Sequence, residues 1–205
     1  MPLPSVAKKH ALIAIAVALW LPVVAFGFRL LWTYSSTPGR PAAPPAAWPS
    51  GAPIAHAKHR ATLLLFAHPK CPCSESTIGE LSVIVAHTAG KLESSVYFYV
   101  PENAGGDWET SSLWHNASAI PGVRCFVDRD GRMARTFGAF TSGQTLLYDD
   151  TGHLLFSGGI TAFRGHSGDN FGRDAVIKLS LGQAPRGDLL PVSAPVFGCS
   201  LGGGA

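Results

Sequence analysis

The feature that most constrains this chain is an apolar run that ends in two closely spaced cysteines. The run Leu63 to Ala67 has the composition of a buried β-strand, and a polar segment beginning at about Ser74 opens an amphipathic helix. Cys71 and Cys73 lie between them, separated by one proline. The sequence therefore predicts a strand–turn–helix unit that presents two thiols at a helix N-terminus.

The position of Cys71 predicts a reactive thiol. The positive end of the helix dipole and the unpaired backbone N–H groups both favour a thiolate, so the pKa of Cys71 should lie below the ordinary value of about 8.5. Two small buried core residues are the structural alternative. The adjacent prolines and the serine at the helix start favour redox or metal chemistry, and we predict Cys71 as the nucleophile.

Two cysteines are candidates for the resolving thiol. A bridge between Cys71 and Cys73 would be locally strained and therefore readily reduced. Cys199 lies in a Pro/Gly-rich tail that could swing towards Cys71, although a spectator thiol or a tether to another chain is an equal alternative. Cys125 stands among apolar residues of a predicted strand, where a buried structural role is expected.

Residues 1–36 are predicted to anchor the chain in a membrane. The run Ala11 to Phe28 carries no charged side chain and reaches the lower end of the length that spans a bilayer as a helix. Lys8 and Lys9 precede it, which predicts that the rest of the chain lies outside the cytoplasm. A signal peptide cleaved near Gly27 is the alternative.

Residues 37–53 are rich in proline and alanine and are predicted to form a semi-extended spacer. An ordered arm that packs on the domain through Trp48 is the alternative. Residues 54–205 are then the globular domain with its tail. The formal net charge of +3, without any basic run beyond the N-terminal lysines, gives no indication of nucleic-acid binding.

The domain alternates strands and helices before it ends in a hairpin and a last helix. Further strands are predicted at Ser95 to Val100, Val123 to Val127, Thr145 to Tyr148 and His153 to Phe156. Further helices are predicted at about Glu109 to Ala119, from Gly131 to Phe137, and from a cap at Asp169 or Asn170 to Leu181. This order predicts an α/β fold with a mixed central sheet flanked by helices.

The hairpin makes a prediction about the loop that follows it. If its first strand begins against the cysteines and runs away from them, the second strand returns and delivers residues 158–170 to the site. There Arg164 or His166 could stabilise the thiolate or shuttle its proton. A Gly-rich loop before a capped helix is the alternative. His68 could tune the thiol or bind a metal.

These features together resemble the thioredoxin fold, and more closely the membrane-anchored thiol-disulfide oxidoreductases of the TlpA/ResA type. The resemblance covers about Ala61 to Gly159. It is carried by Leu65-Phe66 before Cys71-Pro72, Glu80-Leu81, Val127-Asp128-Arg129-Asp130-Gly131, Phe137-Gly138-Ala139 and Leu146-Leu147-Tyr148-Asp149. The Cys-Pro-Cys motif and the Gly-Gly-Ile-Thr, Arg-Gly-His and Gly-Asp-Asn segments are similar to bacterial thioredoxin-like proteins labelled RedB.

The resemblance implies a thioredoxin-like domain behind a single transmembrane helix of a bacterial inner membrane, facing the periplasm or cell exterior. It implies exchange with a protein thiol or disulfide, without a cofactor. In its register Ser74 takes the place of the second cysteine, and Gly143 takes the place of a cis-proline opposite the cysteines. That proline is thought to keep metals away from the thiols.

Two other functions are compatible with the sequence. Cys71, Cys73 and His68 would make a soft ligand set suited to Cu(I), as in an exported copper chaperone. A non-catalytic interaction domain on the same fold is the other alternative. Thiol-disulfide exchange is the function we predict.

Overall fold

The computed structural model describes residues 5–88, 90–104, 106–108, 111–183 and 191–202. The chain divides into two units, residues 1–37 and 38–205. The first is the helix α1, Ser5–Ser36. Among the described residues, one helical segment, Ala7–Ser36, is long and apolar enough to cross a membrane. This agrees with the predicted N-terminal transmembrane helix and with a single-pass membrane protein.

The second unit is an α/β domain. Its strands are β1 Ala61–Ala67, β2 Leu92–Val100, β3 Val123–Arg129, β4 Gln144–Tyr148, β5 Leu154–Gly158 and β6 Val192–Ser193. Its helices are α2 Cys73–Thr88, α3 Ser112–Ser118, α4 Arg132–Thr136 and α5 Phe171–Ser180, with a 3-10 turn at Gly106–Trp108. The short strand β6 lies in the tail, where no strand was predicted.

The strands form one mixed sheet in the order β3-β2-β1-β4-β5-β6. The strands β1, β2 and β3 are parallel, which requires the helical crossovers that the sequence supplies. The strands β4 and β5 form the predicted antiparallel hairpin, and β4 pairs with β1. The β4 end nearest Gly143 therefore lies beside the carboxyl end of β1, where α2 begins.

Alternate residues of β1 supply the two faces of the sheet, as the two-residue period of a strand requires. Leu63 and Leu65 pack in a core with apolar residues of α2, α3 and α5. Leu64 and Phe66 pack in a second core with α4. The predicted central sheet with helices on its faces is therefore confirmed.

Helix ends follow the capping residues. The side chain of Asn170 accepts the Arg173 N–H at 2.8 Å, so α5 begins one residue later, as predicted. Helix α3 begins after Ser111, whose hydroxyl accepts the Trp114 N–H. The predicted start of that helix at Glu109 lies outside the described residues.

The segment predicted as a spacer packs on the domain instead. We call residues 38–53 the N-terminal arm. The Trp48 ring lies 5.0 Å from that of Phe137 and 5.1 Å from that of Tyr148, and its Nε1 donates to the carbonyl of Ile54. An extended Pro-rich backbone can follow a surface, and a large indole gains much from burial. Where the sequence predicts a spacer, the structure has a segment that packs on the domain through Trp48, as in the alternative.

Candidate active site

Cys71 lies in the turn between β1 and α2. Its N–H donates to the carbonyl of His68 at 3.0 Å, and its own carbonyl accepts the Ser74 N–H at 3.0 Å. Cys73 is the first residue of α2. The two side chains are 4% and 8% exposed, so the clustered thiols are almost covered.

Cys199 lies directly against Cys71, with the two Sγ atoms 2.8 Å apart. We call residues 191–202 the C-terminal tail. The tail is held by backbone hydrogen bonds to the loop before β4: Ser142 donates to Cys199 at 2.8 Å, and Leu201 donates to Phe140 at 2.9 Å. Cys199 is therefore held beside Cys71 by this pairing, so no swinging motion of the tail is needed to bring it there.

The surroundings of Cys71 favour its thiolate. Burial opposes the charged form, but hydrogen bonds from the Cys199 side chain and N–H, from the Ser74 side chain and from the Cys73 N–H outweigh it. The net effect lowers the pKa of Cys71. The Cys73 N–H belongs to the first turn of α2, where backbone donors have no partner within the helix. The helix start therefore contributes as the sequence argument requires.

The other thiols are held in the protonated form. Burial, followed by the charge and hydrogen bond of Cys71, raises the pKa of Cys73, and the Arg164 guanidinium opposes this increase. Burial and the same two effects of Cys71 raise the pKa of Cys199 to about 12. Burial alone raises the pKa of Cys125, which is half-buried in β3, to about 11. Cys71 is thus the one thiol of the four whose pKa is lowered.

Gly143 and Ser142 lie opposite the start of α2. The Gly143 N–H donates to the carbonyl of Phe66 at 2.8 Å, with φ at +92°, which favours glycine. The Ser142 hydroxyl accepts the His68 N–H at 2.8 Å and lies 2.7 Å from the Ser74 hydroxyl. Because Ser74 donates to Cys71, the Ser142 hydroxyl is the donor to Ser74. Two hydroxyls therefore form a short chain that ends at the Cys71 sulfur.

Ser142 was not predicted as a site residue. The register that sets Gly143 opposite the cysteines also places its neighbour there, and this was the available signal. Ser74 was noted as the family's second cysteine position, and it lies inside the site, 2% exposed. The serine is a hydrogen-bond donor to the thiol at the position where the family has its resolving cysteine.

The loop after the hairpin brings Arg164 to the cysteines but leaves His166 outside. Arg164 donates to the carbonyl of Gly198 at 2.6 Å and also donates a hydrogen bond to the Cys73 sulfur. His166 is exposed, with its ring 6.1 Å from that of Phe163. Of the two candidates, Arg164 is the one that reaches the cysteines, where its charge opposes the increase in the pKa of Cys73 and of Cys199.

His68 belongs to an aromatic group beside the site. Its ring stacks on Tyr99 at 5.7 Å and lies 5.4 Å from Trp108, and its Nδ1 accepts the Lys70 N–H. Burial and then the Lys70 charge lower the pKa of His68. Within the part of the chain that the structure describes, no group of three or more His, Cys, Asp or Glu side chains could hold a metal ion. The Cu(I) alternative that used His68 is therefore not favoured.

Comparison with known proteins finds similar solved structures but no matching family. No family model and no curated protein matches the sequence. The hypothetical protein SMc02350 from Sinorhizobium meliloti 1021 matches in structure with a TM-score of 0.56 at 21% identity, over 80% of this chain and 93% of its own. An uncharacterized conserved protein from Geobacillus kaustophilus matches with a TM-score of 0.56 at 14% identity, over 83% of this chain and 95% of its own.

This chain has a thioredoxin-like fold. The sheet order, the helices on both faces and the cysteines where β1 meets α2 agree with the resemblance that the sequence carries. A secreted disulfide oxidoreductase of Mycobacterium tuberculosis has a TM-score of 0.43 at 14% identity, over 61% of this chain and 83% of its own. Identities this low assign no activity, so the function rests on the thiols within the thioredoxin-like fold.

Proposed function

We propose that this protein is an exported thiol-disulfide oxidoreductase in which Cys71 attacks and Cys199 resolves. The observation that carries the proposal is the 2.8 Å separation of the Cys71 and Cys199 sulfurs. The lowered pKa of Cys71 supports its role as the attacking thiolate. The partner is a protein disulfide or dithiol, and no cofactor is required because the cysteines themselves carry the electrons.

The reaction proceeds by two exchanges. The Cys71 thiolate attacks one sulfur of the partner disulfide, forms a mixed disulfide and displaces the other partner sulfur as a thiolate, which takes up a proton. The Cys199 thiolate then attacks the Cys71 sulfur and displaces the second partner sulfur. The partner gains two electrons and two protons, and the protein is left with a Cys71–Cys199 disulfide. The reverse sequence oxidises a partner dithiol.

The first exchange prepares Cys199 for the second. Burial raises the pKa of Cys199, and so do the hydrogen bond and negative charge of Cys71. When Cys71 enters the mixed disulfide it loses that charge, while Arg164 continues to favour the Cys199 thiolate. The pKa of Cys199 therefore falls at the step where its thiolate is needed. This is the physical reason for giving the resolving role to a thiol that is protonated at rest.

Cys73 is the weaker candidate for resolution. A bridge between two cysteines separated by one residue, at the first turn of a helix, would depart from the usual disulfide geometry. Cys199 approaches Cys71 from a separate segment, so its bridge does not require α2 to distort. We propose that Cys73 contributes its N–H to the Cys71 thiolate and not its sulfur to the exchange.

Trapping of a mixed disulfide tests this assignment. Each variant is reduced, mixed with a peptide disulfide and examined by mass spectrometry under non-reducing conditions. Cys71→Ser should form no adduct, and Cys199→Ser should accumulate a mixed disulfide on Cys71. Cys73→Ser should release the peptide and form the Cys71–Cys199 bridge. Cys125→Ser is the matched control, because Cys125 lies in β3. Trapping by Cys73→Ser together with turnover by Cys199→Ser would overturn the roles.

The proposed export follows from the N-terminal charges. Lys8 and Lys9 precede the apolar part of α1, which favours a cytoplasmic N-terminus and a domain on the other side of the membrane. We propose a periplasmic or extracellular domain on a retained anchor. A reporter fused after Ala205 should be active in the exported compartment alone. Activity in the cytoplasm would contradict the orientation, and a mature N-terminus near Phe28 would identify a cleaved signal peptide.

A further inference from the structure

A basic cavity of about 690 Å³ is lined in part by Gly198 and Ser200, the neighbours of Cys199. Its lining side chains include three guanidinium groups, from Arg40, Arg135 and Arg164, and one carboxylate, from Asp130. A cavity of this size accommodates a small molecule or a short polypeptide segment. The surplus of positive charge among the described lining residues favours an anionic occupant.

Three separate elements supply the guanidinium groups. Arg40 comes from the N-terminal arm, with its guanidinium carbon 3.9 Å from the centre of the Phe140 ring. Arg135 comes from α4 and donates to the carbonyl of Asp130. Arg164 comes from the loop after β5 and donates to the carbonyl of Gly198. The arm, α4 and the loop after β5 thus each contribute one guanidinium group to the same cavity.

The carboxylate in the cavity is itself engaged by the protein. Asp130 Oδ1 accepts the Glu102 N–H at 2.8 Å. The Asp130 carbonyl accepts from Arg135, so the backbone of this residue also takes part. One acceptor group among three guanidinium groups leaves a net positive lining. Arginine is suited to carboxylates because its planar fork can bind both oxygens of one group.

The cavity shares part of its wall with the segment that carries Cys199. Gly198 and Ser200, the residues on either side of Cys199, form part of its wall. Arg164, which also lines it, bonds to the Cys73 sulfur. A ligand held by these guanidinium groups would therefore lie against the segment that carries Cys199.

We propose that the cavity binds carboxylates carried by the disulfide partner, so that Cys71 reacts fastest with anionic disulfides. This inference rests on the proposed thiol-disulfide exchange and specifies its substrate class. The carboxylates attract the partner disulfide and align it, and the sulfur chemistry is unchanged. Clefts lined by one sign of charge raise association rates of opposite charges about tenfold or more, and added salt weakens the effect.

Disulfides of different charge test the proposal. The reduced protein is mixed with dianionic dithiobis(nitrobenzoate), neutral dithiodipyridine and cationic cystamine at low and high salt. Each rate constant is divided by that of mercaptoethanol with the same disulfide, which corrects for the intrinsic reactivity of that disulfide. The anionic disulfide should be favoured over the neutral one by about tenfold at low salt, and the cationic one disfavoured. High salt should reduce both differences.

Substitutions locate the effect. Arg40→Gln and Arg135→Gln should each lower the ratio of the anionic to the neutral rate constant. Arg132→Gln is the matched control, because Arg132 lies on the same helix, pairs with Glu102 at 3.7 Å and does not line the cavity. The control should keep the ratio of the unmodified protein. An equal loss in Arg132→Gln would show that overall charge is responsible and would overturn the cavity assignment.

Two further disulfides identify the source of the carboxylates. Oxidised glutathione represents a small anionic compound, and a longer peptide dimer with glutamates beside its disulfide represents an acidic protein segment. Each is compared with a version in which the carboxylates are amidated. A preference in either arm supports the proposal. No charge preference with any disulfide, while the neutral one still reacts, would overturn this inference alone. Failure of Cys71 to react even with the neutral disulfide would overturn the proposed function.

Discussion

The N-terminal arm and the C-terminal tail both contain proline and glycine and both pack on the domain, but the tail alone carries a reacting thiol. The arm is held by Trp48, which packs against two aromatic rings of the second core, and by backbone hydrogen bonds such as that from the Trp48 N–H to the Gly152 carbonyl at 2.7 Å. The tail is fixed by backbone, through the hydrogen bonds that join it to residues 140–142. The two segments meet where the Gly39 N–H donates to the carbonyl of Val196 at 2.8 Å.

The arm therefore contributes to the stability of the domain, whereas the tail also positions a reacting thiol. Burial of an indole tolerates small shifts, because apolar contact has no strict direction. The tail must set one sulfur beside another, and hydrogen bonds to backbone fix that position more narrowly. It also passes so close to the loop that a Cβ at Gly198 would overlap the Ser142 carbonyl oxygen. Substitutions in the arm should therefore lower the stability of the domain, and substitutions in the tail should slow thiol-disulfide exchange.

Trp48→Ala should have the largest effect, on stability. Removing the indole takes away its contacts with Phe137 and Tyr148 and should lower the free energy of unfolding by about 3 kcal/mol. Chemical denaturation of the reduced protein measures this. Trp48→Phe should cost less, about 1 kcal/mol, because it keeps a ring but loses the hydrogen bond to Ile54. A loss below about 0.5 kcal/mol in Trp48→Ala would mean that the arm is not held by its indole.

Gly198→Ala should have the second effect, on exchange. The added methyl would displace the tail from Ser142 and move Cys199 away from Cys71. The rate at which their disulfide forms in a glutathione buffer should fall by about a hundredfold, because a small misplacement of reacting groups slows a reaction strongly. Gly51→Ala is the control in the arm, because a Cβ there meets nothing within 4 Å. Unchanged disulfide formation in Gly198→Ala would show that the tail does not position Cys199.

Cys199→Ala should have the smallest effect, on the acidity of Cys71. The substitution removes the side-chain hydrogen bond that helps to lower the pKa of Cys71, while the backbone donors remain. The pKa should therefore rise, and alkylation of Cys71 at neutral pH should slow by about threefold to tenfold. The rate of alkylation measured against pH gives the midpoint. Cys125→Ala should leave the pKa of Cys71 unchanged. An unchanged pKa of Cys71 in Cys199→Ala would show that the Cys199 side chain does not stabilise the thiolate.

The sequence predicts the parts of this molecule that depend on local pattern. The strand β1, the start of α2 and the Asn170 cap follow from periodicity and capping chemistry within a few residues. The position of Cys71 at the junction follows for the same reason. The predicted strands β2 and β3 differ from the observed ones at their ends, because strands extend as far as their neighbours provide hydrogen bonds.

The rest depends on contacts between distant segments. The pairing that sets Cys199 beside Cys71 uses the backbones of residues 140–142 and 199–201, and backbone bonds leave no residue-specific signal. The arm was predicted as a spacer because proline content describes its backbone, whereas Trp48 decides where it packs. The direction of the hairpin predicts which loop reaches the cysteines, but it does not distinguish Arg164 from His166, because side-chain direction within a Gly-rich loop is not periodic.

The sequence separation of the two reacting thiols links oxidation to folding. Cys71 and Cys199 are 128 positions apart, so their disulfide would close a loop that contains every strand except β1. By the chain-entropy account, a cross-link of this length stabilises the folded state by about 5 kcal/mol. A thermodynamic cycle then requires that folding favour the disulfide by the same free energy. The oxidised protein should therefore unfold at a higher temperature than the reduced protein, so the unfolding temperature indicates whether the two thiols are joined.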